Sequence, residues 1–109
     1  MNTLSQDEIN FLFVTACDAA RQSGSVIKNH FGKQKKVSYK GRINLVTDVD
    51  YKSEETIINI IKSNFPEHDI ISEESNPDIK GSSFRWIIDP LDGTVNYAHN
   101  YPFIAVSIA

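Results

Sequence analysis

The chain is poor in cysteine, in histidine and in net charge, and each scarcity closes a class of function. Cys17 is the one cysteine in 109 residues, so no internal disulfide can form and a disulfide-stapled secreted scaffold is excluded. A lone helical cysteine is read as a small apolar side chain, not a nucleophile. The three histidines, His30, His68 and His99, stand far apart with no paired spacing. That argues against a zinc centre and leaves each as a surface or supporting residue. No charged-then-apolar leader opens the chain and no apolar run reaches membrane-span length, so a cytoplasmic location is expected, with no membrane partner. Eleven Lys and Arg against fourteen Asp and Glu give a net charge of −3, the balance of an ordinary globular protein, and nucleic acid is not expected as a partner. The length supports one small domain.

The two ends differ. Residues 1–7 are polar, whereas Phe103 to Ala109 form an apolar run with no polar tail. A strand ending there lacks elements to cover it, so the expectation is a chain whose natural continuation follows Ala109.

Ser5-Gln6-Asp7-Glu8 has the form of a capping box and predicts a helix start. Ile9, Leu12, Phe13, Ala16, Ala19, Ala20, Ser23, Val26, Ile27 and Phe31 then recur at helical steps until Gly32. Lys28, Lys33, Lys35, Lys36, Lys40 and Arg42 make a local basic cluster, read as a solvated connection because no aromatic series accompanies it. Val37 to Tyr39 reads as a short extended arm, with a bend at Gly41 before Ile43-Asn44-Leu45-Val46. Thr47 or Asp48 can cap a second helix that runs to about Asn64, its apolar face made by Ile57, Ile58, Ile60, Ile61 and Phe65, and Pro66 ends it. Strands are expected at 69–72, 84–88 and 101–109, separated by loop signals. Helices early and strands late, without a strand-helix repeat, predict mixed α+β.

Four acids stand at informative places. Glu73, Asp89 and Asp92 fall at the ends of predicted strands or just beyond, and Asp50 near the start of the second helix. Carboxylates gathered without basic partners repel, so such a gathering implies a cation. Oxygen donors select magnesium, manganese or calcium. In Asp89-Pro90-Leu91-Asp92 the proline can turn the chain so that both aspartates face one side and the Leu91 carbonyl points in as a third oxygen. Gly93 leaves the backbone open to a close approach, and Thr94 to Asn96 can begin a short helix whose N–H groups bind an anion. Metal beside an anion cradle is the equipment of phosphoryl transfer.

The run from Trp86 to His99 (WIIDPLDGTVNYAH), with Leu45-Val46-Thr47-Asp48-Val49-Asp50 and Ser72-Glu73-Glu74-Ser75 in that order and spacing, resembles the magnesium-dependent, lithium-sensitive inositol monophosphatase family over nearly the whole chain. The resemblance implies the N-terminal half of a layered sugar-phosphatase fold, long helices packed on an antiparallel sheet, with residues 1–109 as the metal-binding α+β domain. It implies Mg2+ as cofactor, held by Glu73, Asp89, the Leu91 carbonyl and Asp92. Thr94 and Glu73 would position the attacking water, supported by Asp50, and the Gly93 and Thr94 amides would hold the phosphate. Asp92 would also meet the substrate, and Lys40 matches a lysine on the family's mobile loop. The family supplies a further metal-binding aspartate and most ring contacts from its second half, which has no counterpart here, so these 109 residues alone are expected to be inactive.

The implied activity is hydrolysis of a phosphate monoester, inositol monophosphate first, by a homodimer. The alternatives are a bisphosphate nucleotidase, a histidinol phosphatase, or a non-catalytic RNA- or protein-binding module. Val95-Asn96-Tyr97 after Asp-Gly-Thr resembles the inositol branch. Glu73 is expected to point into the site and Glu74 towards solvent or a neighbouring loop, since adjacent residues of an extended segment face opposite ways.

Overall fold

The computed structural model describes residues 3–40 and 44–109. Gly41, Arg42 and Ile43, which carried the expected bend and part of the basic cluster, lie outside the described residues.

Helix α1 spans Gln6–His30. Its start is the expected capping box: the Glu8 N–H donates to Ser5 Oγ and the Ser5 N–H to Glu8 Oε1, each at 3.1 Å. It stops at Phe31, and Gly32 follows with φ +77°. The buried row is Thr15, Ala19, Ser23 and Ile27, spaced by four and small at its centre, which lets α1 lie against the second helix. Ile9 and Phe13, expected on that face, are 45% and 68% exposed. They lie off the four-spaced row that makes the contact.

A two-stranded antiparallel ribbon follows, β1 Val37–Lys40 and β2 Asn44–Thr47. It leads directly into α2, Asp48–Asn64, capped by Thr47 through a second capping box with Asp50. Phe65 closes this helix just before Pro66, as expected.

Three strands build the sheet in the order β3-β4-β5: β3 Asp69–Ser72, β4 Arg85–Asp92 and β5 Ala105–Ile108. β4 pairs antiparallel with β5 and parallel with β3. The expected helices-on-antiparallel-sheet arrangement therefore holds with one refinement: residues 73–84 form a connection long enough to return the chain in the same direction. Ala19, Ile57, Ile61, Ile70, Trp86 and Ile88 form the core between helices and sheet. A second cluster of Ile27, Val49, Leu91 and Tyr97 lies beneath the far end of β4.

Two strand boundaries differ from expectation. β4 continues through Asp89-Pro90-Leu91-Asp92, which had been expected to lie at or beyond the strand's end. Pro90 is accommodated because the β4–β5 register shifts between Asp89 and Asp92, and such an irregularity spares the proline a ladder bond and re-aims its neighbours. Strand β5 covers only part of 101–109, because its expected start is tied to the short helix α3, Thr94–Ala98. The Tyr101 N–H donates to the Asn96 carbonyl at 2.8 Å, and Asn96 Nδ2 to the Phe103 carbonyl at 3.0 Å.

Candidate active site

Glu73 follows β3 directly, Asp89, Leu91 and Asp92 come from the irregular end of β4, and Gly93 and Thr94 open α3. All six line one cleft of ≈ 330 Å³. A larger apolar groove of ≈ 640 Å³ runs between α1 and residues 102–106, and Lys28 is its charged lining residue. It contains none of the site acids, so the chemistry belongs to the smaller cleft.

Asp50 explains how two distant segments meet. As the third residue of α2 its buried carboxylate accepts from the Thr47 N–H at 3.0 Å and from Thr47 Oγ1 at 2.5 Å. Its other oxygen accepts from Thr94 Oγ1 at 2.8 Å. The capping residue of one helix therefore locates the first residue of another. Thr94 Oγ1 also donates to the Leu91 carbonyl at 3.1 Å, and both residues line the cleft. With its one proton directed to these acceptors, Thr94 keeps its lone pairs to accept a hydrogen bond from water.

The Asp89 carboxylate beside it, partial burial and the further charge of Glu74 push the Glu73 carboxyl up to about 7, although Lys40 opposes them. Asp89 Oδ1 is buried and, among the described residues, has no hydrogen-bond partner. A buried carboxylate oxygen left unpaired costs about 1–3 kcal/mol or more, and a cation removes that cost together with the repulsion. The donors facing the cleft are all oxygens, which fits magnesium, manganese or calcium. Among the described residues no three acids stand close enough to cage an ion by themselves: Glu73 and Asp89 are the close pair, and exposed Asp92 lines the same cleft.

The raised Glu73 carboxyl has a pH consequence. Between its ordinary 4.5 and about 7 the folded chain binds more protons than the unfolded one, so without divalent cations this group's contribution to stability falls as pH rises through that window. Glu74, also raised, acts with the same sign, and His68, lowered by burial, acts against it. Asp69 and Asp78 are lowered and act below 3.8. Asp89→Asn relieves Glu73 chiefly, since Asp89 is the first cause of its shift and the last of those that act on Glu74. Its melting temperature should gain on wild type as pH rises from 5 to 7.5 in chelator, and a constant difference would contradict the pairing.

Lys40 reaches this site. Its Nζ donates to the Glu73 carbonyl at 2.6 Å and lies 3.8 Å from the Glu74 carboxylate. Of the two expectations for Glu74, solvent or a neighbouring segment, the structure excludes solvent: its side chain is only 6% exposed and meets Lys40 of the β1–β2 ribbon. It packs beneath Lys40, where burial and the nearby acids raise its pKa although Lys40 opposes them.

Gly93 has φ +88°, and a Cβ there would lie 2.8 Å from the Phe103 carbonyl oxygen. Gly93→Ala should cost about 1–3 kcal/mol, since both the left-handed backbone and the contact oppose it, and denaturant unfolding measures the loss. The Gly93 and Thr94 N–H groups stand at the start of α3, where a helix offers no internal acceptor.

Sequence reasoning missed Ser53 and Glu54. Ser53 Oγ donates to the Pro90 carbonyl at 2.7 Å. Glu54 accepts from Ser72 Oγ at 2.7 Å, from the Glu74 N–H at 3.0 Å and from Ser75 Oγ. The sequence carries only a partial signal: with Asp50 they are polar residues at i, i+3 and i+4 on the face that also holds Val49, Ile57 and Ile61, but their partners come from other segments. The histidines stay outside the site. His68 accepts from Trp86 Nε1 at 3.0 Å and stacks on Phe65, His30 bonds the Val26 carbonyl, and His99 bonds the Val95 carbonyl.

The model of the inositol monophosphatase family matches residues 9–109. An inositol monophosphatase of Mesembryanthemum crystallinum is 42% identical over 98 residues, covering 86% of this chain and 36% of that protein. The solved extragenic suppressor protein suhB of Bartonella henselae superposes with a TM-score of 0.86 at 37% identity, over 90% of this chain and 39% of that one. A solved IMPase/NADP phosphatase complexed with Mg2+ and phosphate superposes at 0.72 with 25% identity, over 94% and 39%. The chain thus spans little more than a third of the length of the relatives it matches.

Proposed function

The chain belongs to the inositol monophosphatase family, and from that premise we propose that the full-length protein hydrolyses a phosphate monoester, inositol monophosphate first, using magnesium. The observation that carries the reading is the buried, unpartnered Asp89 Oδ1 beside Glu73, in the cleft that also holds Thr94 and the Leu91 carbonyl. Glu73, Asp89, the Leu91 carbonyl and Asp92 would hold the metal, and the relative complexed with Mg2+ and phosphate supports magnesium as the ion. Bound magnesium supplies positive charge for the phosphate oxygens and lowers the pKa of water.

The chain's own residues do the rest. Thr94, its proton given to Asp50, accepts one hydrogen of the attacking water, and Glu73 accepts another, so the water's lone pair is left for phosphorus. Lys40 holds the Glu73 backbone through its carbonyl. The first N–H groups of α3 receive phosphate oxygens. Asp92, exposed at the cleft, meets the sugar-like part of the substrate. A cytoplasmic homodimer with no membrane or nucleic-acid partner belongs to the same reading. No helix among the described residues is long and apolar enough to cross a membrane.

The test is phosphate release by the full-length protein from inositol monophosphate, an adenosine 3',5'-bisphosphate and histidinol phosphate, with and without magnesium. Magnesium-dependent release, fastest from inositol monophosphate, is expected. Faster release from either alternative would move the substrate assignment, and release from none of the three would overturn the enzymatic reading.

A further inference from the structure

We infer that Glu54 is a positioning residue for the metal and water site, holding Glu73 against Asp89 by anchoring the residues on both sides of it. This rests on the proposed function above. Glu54 is 3% exposed, and none of the ion pairs among the described residues includes it. A buried carboxylate without a cation is tolerated only if donors surround it. Here the three donors come from one short segment: Ser72 Oγ, the Glu74 N–H and Ser75 Oγ. The sequence between them contains Glu73.

Glu73 itself is held at both backbone groups. Its N–H donates to the Ile88 carbonyl at 3.2 Å, and its carbonyl accepts from Lys40. With 72, 74 and 75 fixed to Glu54, the side chain of 73 keeps one direction, towards Asp89. The same helix face performs two parallel tasks. Asp50 holds Thr94, and Ser53 holds the Pro90 carbonyl between the two strand aspartates. Residues 50, 53 and 54 therefore align two stretches that are separate in sequence, 72–75 and 90–94, from one face of a helix that cannot flex as a loop does. A carboxylate suits the Glu54 position because all three facing groups donate to it, whereas a glutamine loses the negative charge and makes Ser75 turn its hydroxyl round to accept from the NH2.

Asp69 supplies the matched control. It is also a buried acid that anchors a loop, accepting from the Lys80 and Ser82 N–H groups at 2.6 and 3.2 Å, but it does not line the cleft. The experiment compares Glu54→Gln and Asp69→Asn in the full-length protein. Magnesium binding is measured by calorimetry without substrate, alongside kcat, KM and melting temperature.

Glu54→Gln should weaken magnesium binding by about tenfold and lower kcat by about a hundredfold, with KM changed by less than roughly threefold. Asp69→Asn should lower the melting temperature while leaving magnesium affinity and kcat within about twofold. If Glu54→Gln does not fold, Ser75→Ala replaces it. That variant leaves two donors on Glu54 and should show the same two losses at a few-fold, about tenfold at most. Loss of melting temperature alone, with magnesium affinity and kcat intact in either variant, overturns the inference. A wild-type protein that binds no magnesium instead overturns the proposed function, and with it the site that Glu54 is inferred to position.

Discussion

Asp89→Asn in the full-length protein is expected to lower turnover by about a thousandfold or more while the fold stands. The substitution turns into a neutral amide the carboxylate whose buried Oδ1 pairs with nothing among the described residues, which is the atom best placed for a cation. It also removes the charge that raises Glu73. In the absence of divalent cations the variant should melt no lower than wild type, because an amide can donate to Glu73 where a carboxylate could only share a proton with it. Activity and stability thus move apart. A variant retaining magnesium-dependent phosphatase activity within tenfold of wild type would take Asp89 out of the reaction.

The second large effect separates two adjacent residues of the same chemistry. Glu73→Gln should cost about two to four powers of ten in turnover, since it removes both a metal oxygen and a proton acceptor for the water. Glu74→Gln should cost less than about tenfold, for Glu74 packs under Lys40 and does not line the cleft. It is not expected to be silent. Its carboxylate is buried among Asp50, Glu54 and Asp89, and Oε2 makes no hydrogen bond among the described residues, with only the Lys40 ammonium 3.8 Å away to offset three acids, so neutralising it should raise the melting temperature of the metal-free protein. Equal losses in turnover would show that the two roles are not divided in this way.

Local signals predicted most of the elements because local chemistry decides them. Ser5 and Glu8, and Thr47 with Asp50, cap their helices by bonds within four residues. Gly93 needs its positive φ whatever surrounds it. The meeting of Glu73, Asp89 and Thr94 was legible from motif order. What was not legible depended on tertiary placement. The parallel pairing of β3 with β4 is set by where residues 73–84 lead the chain. The exposure of Ile9 and Phe13 depends on which row of α1 meets α2. Strand alternation turns Glu74 away from Glu73 but leaves open whether it meets solvent or another segment, and it is Lys40 of another element that closes over it. Glu54 was hidden for a similar reason. An acid next to Glu55 on a helix reads as solvated surface, and only the fold brings residues 72–75 onto it.

The central claim is that the cleft of Glu73, Asp89, the Leu91 carbonyl and Asp92 holds the divalent ion that serves phosphate hydrolysis. The most direct measurement is anomalous diffraction from crystals of the full-length protein grown with Mn2+ and phosphate. The account predicts an anomalous peak within about 2.0–2.3 Å of an Asp89 carboxylate oxygen, with phosphate bound beside it at the start of α3. Manganese bound away from Asp89 and Glu73, or phosphate bound with no ion in this cleft, would contradict it.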